Sequence, residues 1–231
     1  MIGGGKTAPD QAALYNSGLV RYVDLLDSYM SPGGLCHPSD NFGAILAAAE
    51  HVKASGEDFM LALAVAYEIQ CRFTAVVPVM AKGFNHAIQL AISSAAGAGK
   101  LFGLTGDQIA NAISIATVDN ISLTCVHVEP VSQWKGFSPG MTGMRAVYAA
   151  SLAKRGFTGP SGLFEGPNGI MSMISCDMRF GRSDEQKRAL AAGLLRVVSE
   201  ATGERPDDIF FGAPSLRSIP MGTDCACIPD K

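Results

Sequence analysis

The chain has 231 residues, a net charge of −3, 17% charged residues and 48% apolar residues. Soluble domains usually carry roughly 25% charged residues, so this composition indicates much buried surface, either in a large core or against a partner. The slightly acidic balance argues against nucleic acid as a partner. We expect no membrane span, because no apolar run of about 18 residues occurs, and no signal peptide, because the start lacks an apolar stretch.

The six cysteines are isolated from one another, except for Cys225 and Cys227 near the C-terminus. No C-x-x-C pair is present in the sequence, which argues against a structural zinc site. We therefore expect reduced thiols and a reducing compartment, the cytoplasm.

Charge is unevenly distributed along the chain. Residues 1–171 contain 22 charged residues (13%), whereas residues 172–231 contain 17 (28%). Such a change in composition is typical of a domain boundary. The sequence therefore predicts one domain over residues 1–171, a second segment over residues 172–213 and an irregular tail over residues 214–231.

Apolar residues at helical spacing dominate residues 1–171. Thr7 is predicted to cap a first helix over residues 9–30, because a proline follows in the first turn. The predicted apolar stripe of this helix contains four residues: Leu19, Tyr22, Val23 and Leu26. A second helix is predicted to begin at Ser39 and to be closed by Gly56.

Four further helices are predicted in this domain. The helix over residues 58–73 is apolar on nearly all sides, which predicts a central buried position. The helix over residues 86–103 is rich in Ala, Gly and Ser, which permits close backbone packing. Thr105 and Gln108 form a capping box for the next helix, and the last helix is predicted over residues 140–155. Because alternating β-branched residues are nearly absent, the predicted fold class is mainly α.

The segment over residues 172–213 has a different pattern. Residues 171–180 have the two-residue period of a strand, and Ser183 and Gln186 form a capping box for a helix. A short apolar run over residues 209–211 follows. This order predicts a β-α-β segment.

Three polar residues are spaced for one face of the first helix. Asp24, Asp27 and Ser28 lie at positions i, i+3 and i+4. Two carboxylates so close repel each other, and burial would raise the pKa of one of them. The alternative interpretation is a solvated helix face without chemistry.

His37 lies in the predicted loop before the second helix. Free N–H groups and the helix dipole favour an anion at such a place. Asp40 and Asn41 follow it and could equally be plain capping residues. The sequence therefore offers His37 as a candidate anion-binding residue.

His86 lies at a predicted helix start. A histidine there is a candidate general acid or base, and the alternative interpretation is a cap or surface residue. Lys135 lies between the only tryptophan and two glycines, where it could bind a carboxylate or act as a base. The other histidines, His51 and His127, have no surrounding pattern and are interpreted as structural.

Five stretches match a known family in order and spacing: GGGKTAPDQAALYNSGLVRYVDLLDSY, CHPSDNFGAILAAAE, GFNHAIQLAISSAAGAGKLFGL, QWKGFSPGMTGMRAVYAASLAKRGFTGP and FEGPNGIM. They resemble the MmgE/PrpD family over about residues 3–171. The resemblance implies a lyase without a cofactor that removes water or CO2 from a small di- or tricarboxylate such as 2-methylcitrate. It also implies a large helical domain, a smaller α+β lid domain beside the active site, and a homodimer or larger homo-oligomer.

The resemblance further implies five site residues: Asp24, Ser28, His37, His86 and Lys135. His37 and Lys135 would hold substrate carboxylates and stabilise the developing enolate, and Ser28 would also contact the substrate. Asp24 would orient His37 or relay a proton. His86 would act as the acid or base.

The chain also departs from the family pattern. We expect the first helices and the lid domain to be absent, which would leave apolar faces exposed and favour self-association. About residues 173–211 instead resemble a 4-oxalocrotonate tautomerase subunit, with Arg182 at a substrate-binding position. The catalytic N-terminal proline of that superfamily would fall at Ser172, and its second arginine at Phe210. This segment is therefore expected to be a structural remnant or an oligomerisation element.

Two hypotheses on function follow. The first is a lyase of the MmgE/PrpD type, and the second is a helical scaffold or assembly protein that kept the fold without turnover. A tautomerase is disfavoured because its N-terminal proline is missing. Assays with 2-methylcitrate, citrate and cis-aconitate separate the first two.

Overall fold

The computed structural model describes residues 1–164 and Ile170. The predictions for residues 172–213, with the tautomerase-like features at Ser172, Arg182 and Phe210, lie outside the described residues, as do those for the tail. Within the described part the fold is mainly helical, as predicted.

Six α-helices and one short hairpin make up the described fold. In chain order they are α1 (Pro9–Arg21), β1 (Tyr29–Ser31), β2 (Gly34–Cys36), α2 (Phe42–Val52), α3 (Gly56–Val76), α4 (Ala87–Leu101), α5 (Gly106–Val118) and α6 (Trp134–Lys154). Three short 3-10 helices lie between them, at Pro38–Asn41, Met80–Lys82 and Thr124–His127.

Helix α1 is shorter than the sequence predicted. Ala8 rather than Thr7 occupies the N-cap position, because Pro9 fixes the first helical turn. The helix ends at Arg21, and Asp24 has a φ of 53°, in the left-handed region that no helix can continue through. The prediction of a helix over residues 9–30 is therefore wrong beyond Arg21.

The predicted apolar stripe of α1 is also wrong. Tyr22 is 83% exposed and Val23 is 63% exposed, and both lie beyond the end of the helix. The buried face is instead formed by small and polar residues: Ala12, Ala13, Asn16, Ser17 and Arg21. Small side chains let α1 approach α2 closely, and Gly43 at this crossing shows how closely. A Cβ on Gly43 would lie 2.3 Å from the backbone nitrogen of Ser17.

The second helix begins later than predicted. Ser39 belongs to the 3-10 helix Pro38–Asn41, and α2 begins at Phe42. It ends at Val52 because Lys53 adopts the left-handed conformation, before Gly56 is reached.

The central buried helix is α4 rather than α3. Thirteen of the fifteen residues of α4 are buried, whereas α3 buries one face only. Helix α4 packs against α3, α5 and α6, and its many Ala, Gly and Ser residues allow this close approach. Among the described residues, α3 is the one helix long and apolar enough to cross a membrane by composition. Its buried Gln70 and Thr74 hydrogen-bond to core residues.

The predicted capping box at the start of α5 is confirmed, with Thr105 and Gln108 bonded reciprocally. Helix α6 is longer than predicted. It begins at Trp134 instead of residue 140 and carries Pro139 within its second turn. This extension places Lys135 in the first turn of a helix.

The described domain contains one two-stranded antiparallel hairpin, which the sequence did not predict. Tyr29 pairs with Cys36, and Ser31 pairs with Gly34. Strands of three residues are too short to show a two-residue period in the sequence. The hairpin packs on α3 and leads directly into the candidate site.

Candidate functional site

The end of α1 folds back so that Asp24 lies over Arg21. The N–H of Asp24 donates to the Arg21 carbonyl at 3.0 Å, and Arg21 Nη2 lies 3.1 Å from Asp24 Oδ1. Lys135 Nζ, from the first turn of α6, donates to Asp24 Oδ2 at 2.9 Å. This hydrogen bond holds the pKa of Asp24 below its usual value, with further lowering by the Arg21 charge, although partial burial opposes the shift.

The hairpin register brings Ser28 opposite His37. Tyr29 pairs with Cys36, so the residues just outside that pair face each other. Ser28 Oγ lies 3.4 Å from His37 Nδ1, and the Asp27 carbonyl lies 2.7 Å from the same nitrogen. A carbonyl can only accept, so His37 Nδ1 carries a proton and Nε2 is the nitrogen left for a substrate. The Asp27 carboxylate accepts from the Ser39 N–H at 3.0 Å and holds this turn.

The three-residue spacing in the sequence therefore has a different meaning from the predicted one. Asp24, Asp27 and Ser28 do not share a helix face, because α1 has already ended. Asp24 contacts the two cations, whereas Asp27 and Ser28 support His37. Burial of the Tyr67 phenol, with the charge of Asp27 nearby, raises the pKa of Tyr67 to about 12.

A buried ion pair lies beneath these groups. Arg21 Nη1 lies 3.2 Å from Asp40 Oδ2 and 3.4 Å from Asp40 Oδ1, and both side chains are at most 2% exposed. Asp40 is therefore more than the plain cap that the sequence allowed as an interpretation. Two charges so deeply buried are tolerated because each neutralises the other.

His86 is the N-cap residue of α4 and is only 1% exposed, so the alternative of a surface residue is wrong. Its Nε2 lies 3.6 Å from Asp40 Oδ2, too far for a hydrogen bond, and neither ring nitrogen has a hydrogen-bond partner. Burial lowers the pKa of His86, while the Asp40 carboxylate opposes this shift. The ring is therefore neutral at pH 7, with a carboxylate beside it that would stabilise the protonated form.

The four titratable site residues predicted from the sequence lie close together. The rings of His37 and His86 are 5.1 Å apart between centroids and meet edge to face. Asp24 and Lys135 form the ion pair described above, and Arg21 links Asp24 to Asp40, which lies beside His86. Within the described residues, no group of three or more His, Cys, Asp or Glu side chains is arranged to hold a metal ion.

A buried hydrogen-bond network fixes the segment that carries His37 and Asp40. The Asn41 amide donates to Gln70 Oε1 on α3 and to the Pro38 carbonyl. Ser93 and Ser94 on α4 each donate to Asn41 Oδ1 at 2.8 Å. Asn41 thus ties the loop to two helices and limits its movement relative to His86.

Three residues of the cluster were not predicted as site residues from the sequence. Arg21 is flanked by apolar residues, and Asp40 follows a Pro-Ser pair typical of a helix start, so neither has a distinctive local pattern. His127, interpreted as structural, lies with its ring 6.0 Å from that of His86. Their common feature is a charge or imidazole in an apolar helical body, which is the one signal that could have indicated them.

The described helical body gathers a lysine, a buried Arg-Asp pair and three imidazoles, which are groups able to bind an anion and to transfer protons. Residues 1–183 match the family model described as MmgE/PrpD N-terminal domain, and the chain belongs to this family.

The curated proteins to which the chain is similar include three with the name 2-methylcitrate dehydratase or probable 2-methylcitrate dehydratase. It is 34% identical over 167 residues to 2-methylcitrate dehydratase of Escherichia coli (strain K12), covering 67% of this chain and 34% of that enzyme. It is 32% identical over 162 residues to 2-methylcitrate dehydratase of Cupriavidus necator, covering 65% and 33% of the two chains. It is 30% identical over 165 residues to the probable 2-methylcitrate dehydratase of Saccharomyces cerevisiae, covering 65% and 32%. The chain thus spans about a third of the length of these relatives.

Proposed function

We propose that this chain is a lyase that dehydrates a small hydroxy-tricarboxylate such as 2-methylcitrate. The observation that carries the proposal is the environment of His86, a neutral imidazole with two unpartnered nitrogens beside the buried Asp40 carboxylate. The names of the similar enzymes support the same substrate class. Loss of water needs a group that takes a proton and a group that gives one, and side chains can supply both.

Substrate binding begins at Lys135. Its side chain is 28% exposed and is held by Asp24, whose carboxylate an incoming substrate carboxylate would partly replace. The doubly protonated ring of His37 would donate from Nε2–H to a second carboxylate, because Nδ1–H already donates to the Asp27 carbonyl. Ser28 lies beside His37 and would contact the same carboxylate.

Proton transfer is assigned to His86. The imidazole takes the proton next to a carboxylate, and the electrons of the C–H bond form the new double bond as the C–O bond breaks. The departing hydroxide takes the proton from the His86 imidazolium formed in this way and leaves as water, which restores neutral His86. Asp40 stabilises His86 in its protonated form. Asp24 positions Lys135 through their ion pair.

The test is turnover of 2-methylcitrate, citrate and cis-aconitate, followed by absorbance of the unsaturated acid and by CO2 release. His86→Gln should lower kcat by about 10²- to 10⁴-fold, the usual contribution of acid–base catalysis. Lys135→Ala should mainly raise KM, because it removes a binding charge. The matched control is His51→Gln, which changes an exposed histidine on α2. Wild-type turnover by His86→Gln or by His37→Ala would contradict the scheme, and CO2 release from cis-aconitate would indicate decarboxylation instead.

The second candidate is a helical scaffold, favoured by exposed apolar side chains near the site. Tyr22 and Leu25 are 83% and 85% exposed, and Met30 is 78% exposed. Apolar surface of this kind is typical of a protein–protein contact. A defined oligomer by light scattering, without turnover of any of the three acids, would favour this function.

A further inference from the structure

His127 contributes a third imidazole to the cluster. It is the last residue of the 3-10 helix Thr124–His127, and its ring centroid lies 6.0 Å from that of His86. The segment is fixed to the start of α4 by two backbone hydrogen bonds. The Asn85 N–H donates to the Ser122 carbonyl, and the Thr124 N–H donates to the Gly83 carbonyl, both at 2.8 Å.

The Asn85 side chain determines which nitrogen of His127 carries the proton. The Ala87 N–H donates to Asn85 Oδ1 at 2.9 Å, which fixes the orientation of the amide. The Asn85 NH2 group therefore faces His127 Nε2, at 2.6 Å. Since an NH2 group can only donate, Nε2 must accept, and the proton of the neutral ring lies on Nδ1. The Nδ1–H has no hydrogen-bond partner among the described residues.

The surrounding charges keep this ring neutral. Burial lowers the pKa of His127, and the positive charges of Lys135 and Arg21 lower it further. The charge of Asp24 opposes the shift. His127 is therefore an uncharged hydrogen-bond donor at pH 7, whereas Lys135 is a cation.

A substrate with both carboxylates and a hydroxyl offers a different partner to each kind of donor. Carboxylates form their strongest hydrogen bonds with charged donors, which Lys135 supplies. A neutral hydroxyl oxygen has no such preference, so an uncharged N–H is sufficient for it. A site that hydrogen-bonds a hydroxyl discriminates against analogues that lack it, because its buried polar groups then stay unpaired.

We propose that His127 Nδ1–H donates a hydrogen bond to the hydroxyl oxygen of the substrate and makes the site selective for 2-hydroxy acids. This inference rests on the proposed function. His127 keeps its proton throughout, because a neutral imidazole that lost it would become an anion. The proton that completes the departing water comes from the His86 imidazolium.

Calorimetric binding of citrate and of propane-1,2,3-tricarboxylate, which lacks the hydroxyl, tests the selectivity. The full chain should bind citrate about tenfold or more tightly, the effect of one hydrogen bond. His127→Phe should reduce this preference to about threefold or less, while His51→Phe should retain it. If the wild type dehydrates its substrate and His127→Phe prefers citrate as strongly as the wild type does, only the role of His127 is overturned. Binding of neither acid by the wild type would overturn the proposed function and this inference together.

A second measurement needs no substrate and covers the case in which His127→Phe folds poorly. Nitrogen-15 NMR of the histidine rings above pH 7 should show His127 protonated on Nδ1 and unprotonated on Nε2. Asn85→Asp should move the proton to Nε2, because a carboxylate accepts from that nitrogen and raises the pKa of His127. Protonation of Nε2 in the wild type, or an unchanged spectrum in Asn85→Asp, would overturn the assignment.

Discussion

Removal of the Asp40 carboxylate should be one of the most damaging changes in the described domain. Arg21 and Asp40 are joined at 3.2 and 3.4 Å, and neither side chain is more than 2% exposed. Leaving one partner of such a pair buried and unpaired costs about 3–5 kcal/mol. Arg21 retains Asp24 at 3.1 Å in the Asp40→Ala variant. We therefore expect a loss of about 2–4 kcal/mol in the free energy of unfolding.

Urea unfolding of the full chain, followed by circular dichroism, measures this loss. The matched control is Glu68→Ala, which breaks the exposed i,i+4 pair with Arg72 on α3 and should cost about 0.5 kcal/mol or less. The double variant Arg21→Met, Asp40→Leu should be more stable than Asp40→Ala, because it leaves no unpaired buried charge. Equal stability of Asp40→Ala and Glu68→Ala would refute the reasoning.

Three other experiments test separate features. Burial lowers the folded-state pKa of His86, so its contribution to stability is present above pH 6.5 and is lost as pH falls through the folded pKa. His86→Gln should remove this pH dependence, which urea titrations between pH 7 and 5 would measure. Gly43→Ala should destabilise the chain by about 1–3 kcal/mol, because its Cβ would lie 2.3 Å from the α1 backbone, whereas Gly56→Ala, with open space around it, should not lower stability. Exposed Cys125 should be alkylated before buried Cys36, because burial raises the pKa of the Cys36 thiol to about 12. Peptide mapping measures the two rates, and equal labelling would contradict the buried position of Cys36.

The sequence predicted the helical class and most helix positions, because the helices have regular apolar spacing and clear caps. It failed where burial follows shape rather than hydropathy. Helix α3 has the larger apolar side chains, but α4 lies at the centre because its Ala, Gly and Ser residues allow three helices to approach it. Likewise α1 buries Arg21 and leaves Tyr22, just past its end, exposed.

The candidate site was predictable only in part, for a similar reason. The resemblance indicated Asp24, His37, His86 and Lys135, and the fold places them together. Local spacing explained none of this arrangement, because it depends on the left-handed Asp24 and on the register of a three-residue hairpin. Such contacts join residues far apart in the chain and have no period for a sequence pattern to detect.

The charges of the site suggest how substrate binding and base strength are linked. Lys135, Asp24, Arg21 and Asp40 form an alternating chain of two positive and two negative charges that ends beside neutral His86. A carboxylate that binds Lys135 adds a negative charge to this balanced chain. An added negative charge raises the affinity of a nearby imidazole for a proton. We therefore expect His86 to become a stronger base when the substrate is in place, and to remain neutral while the site is empty.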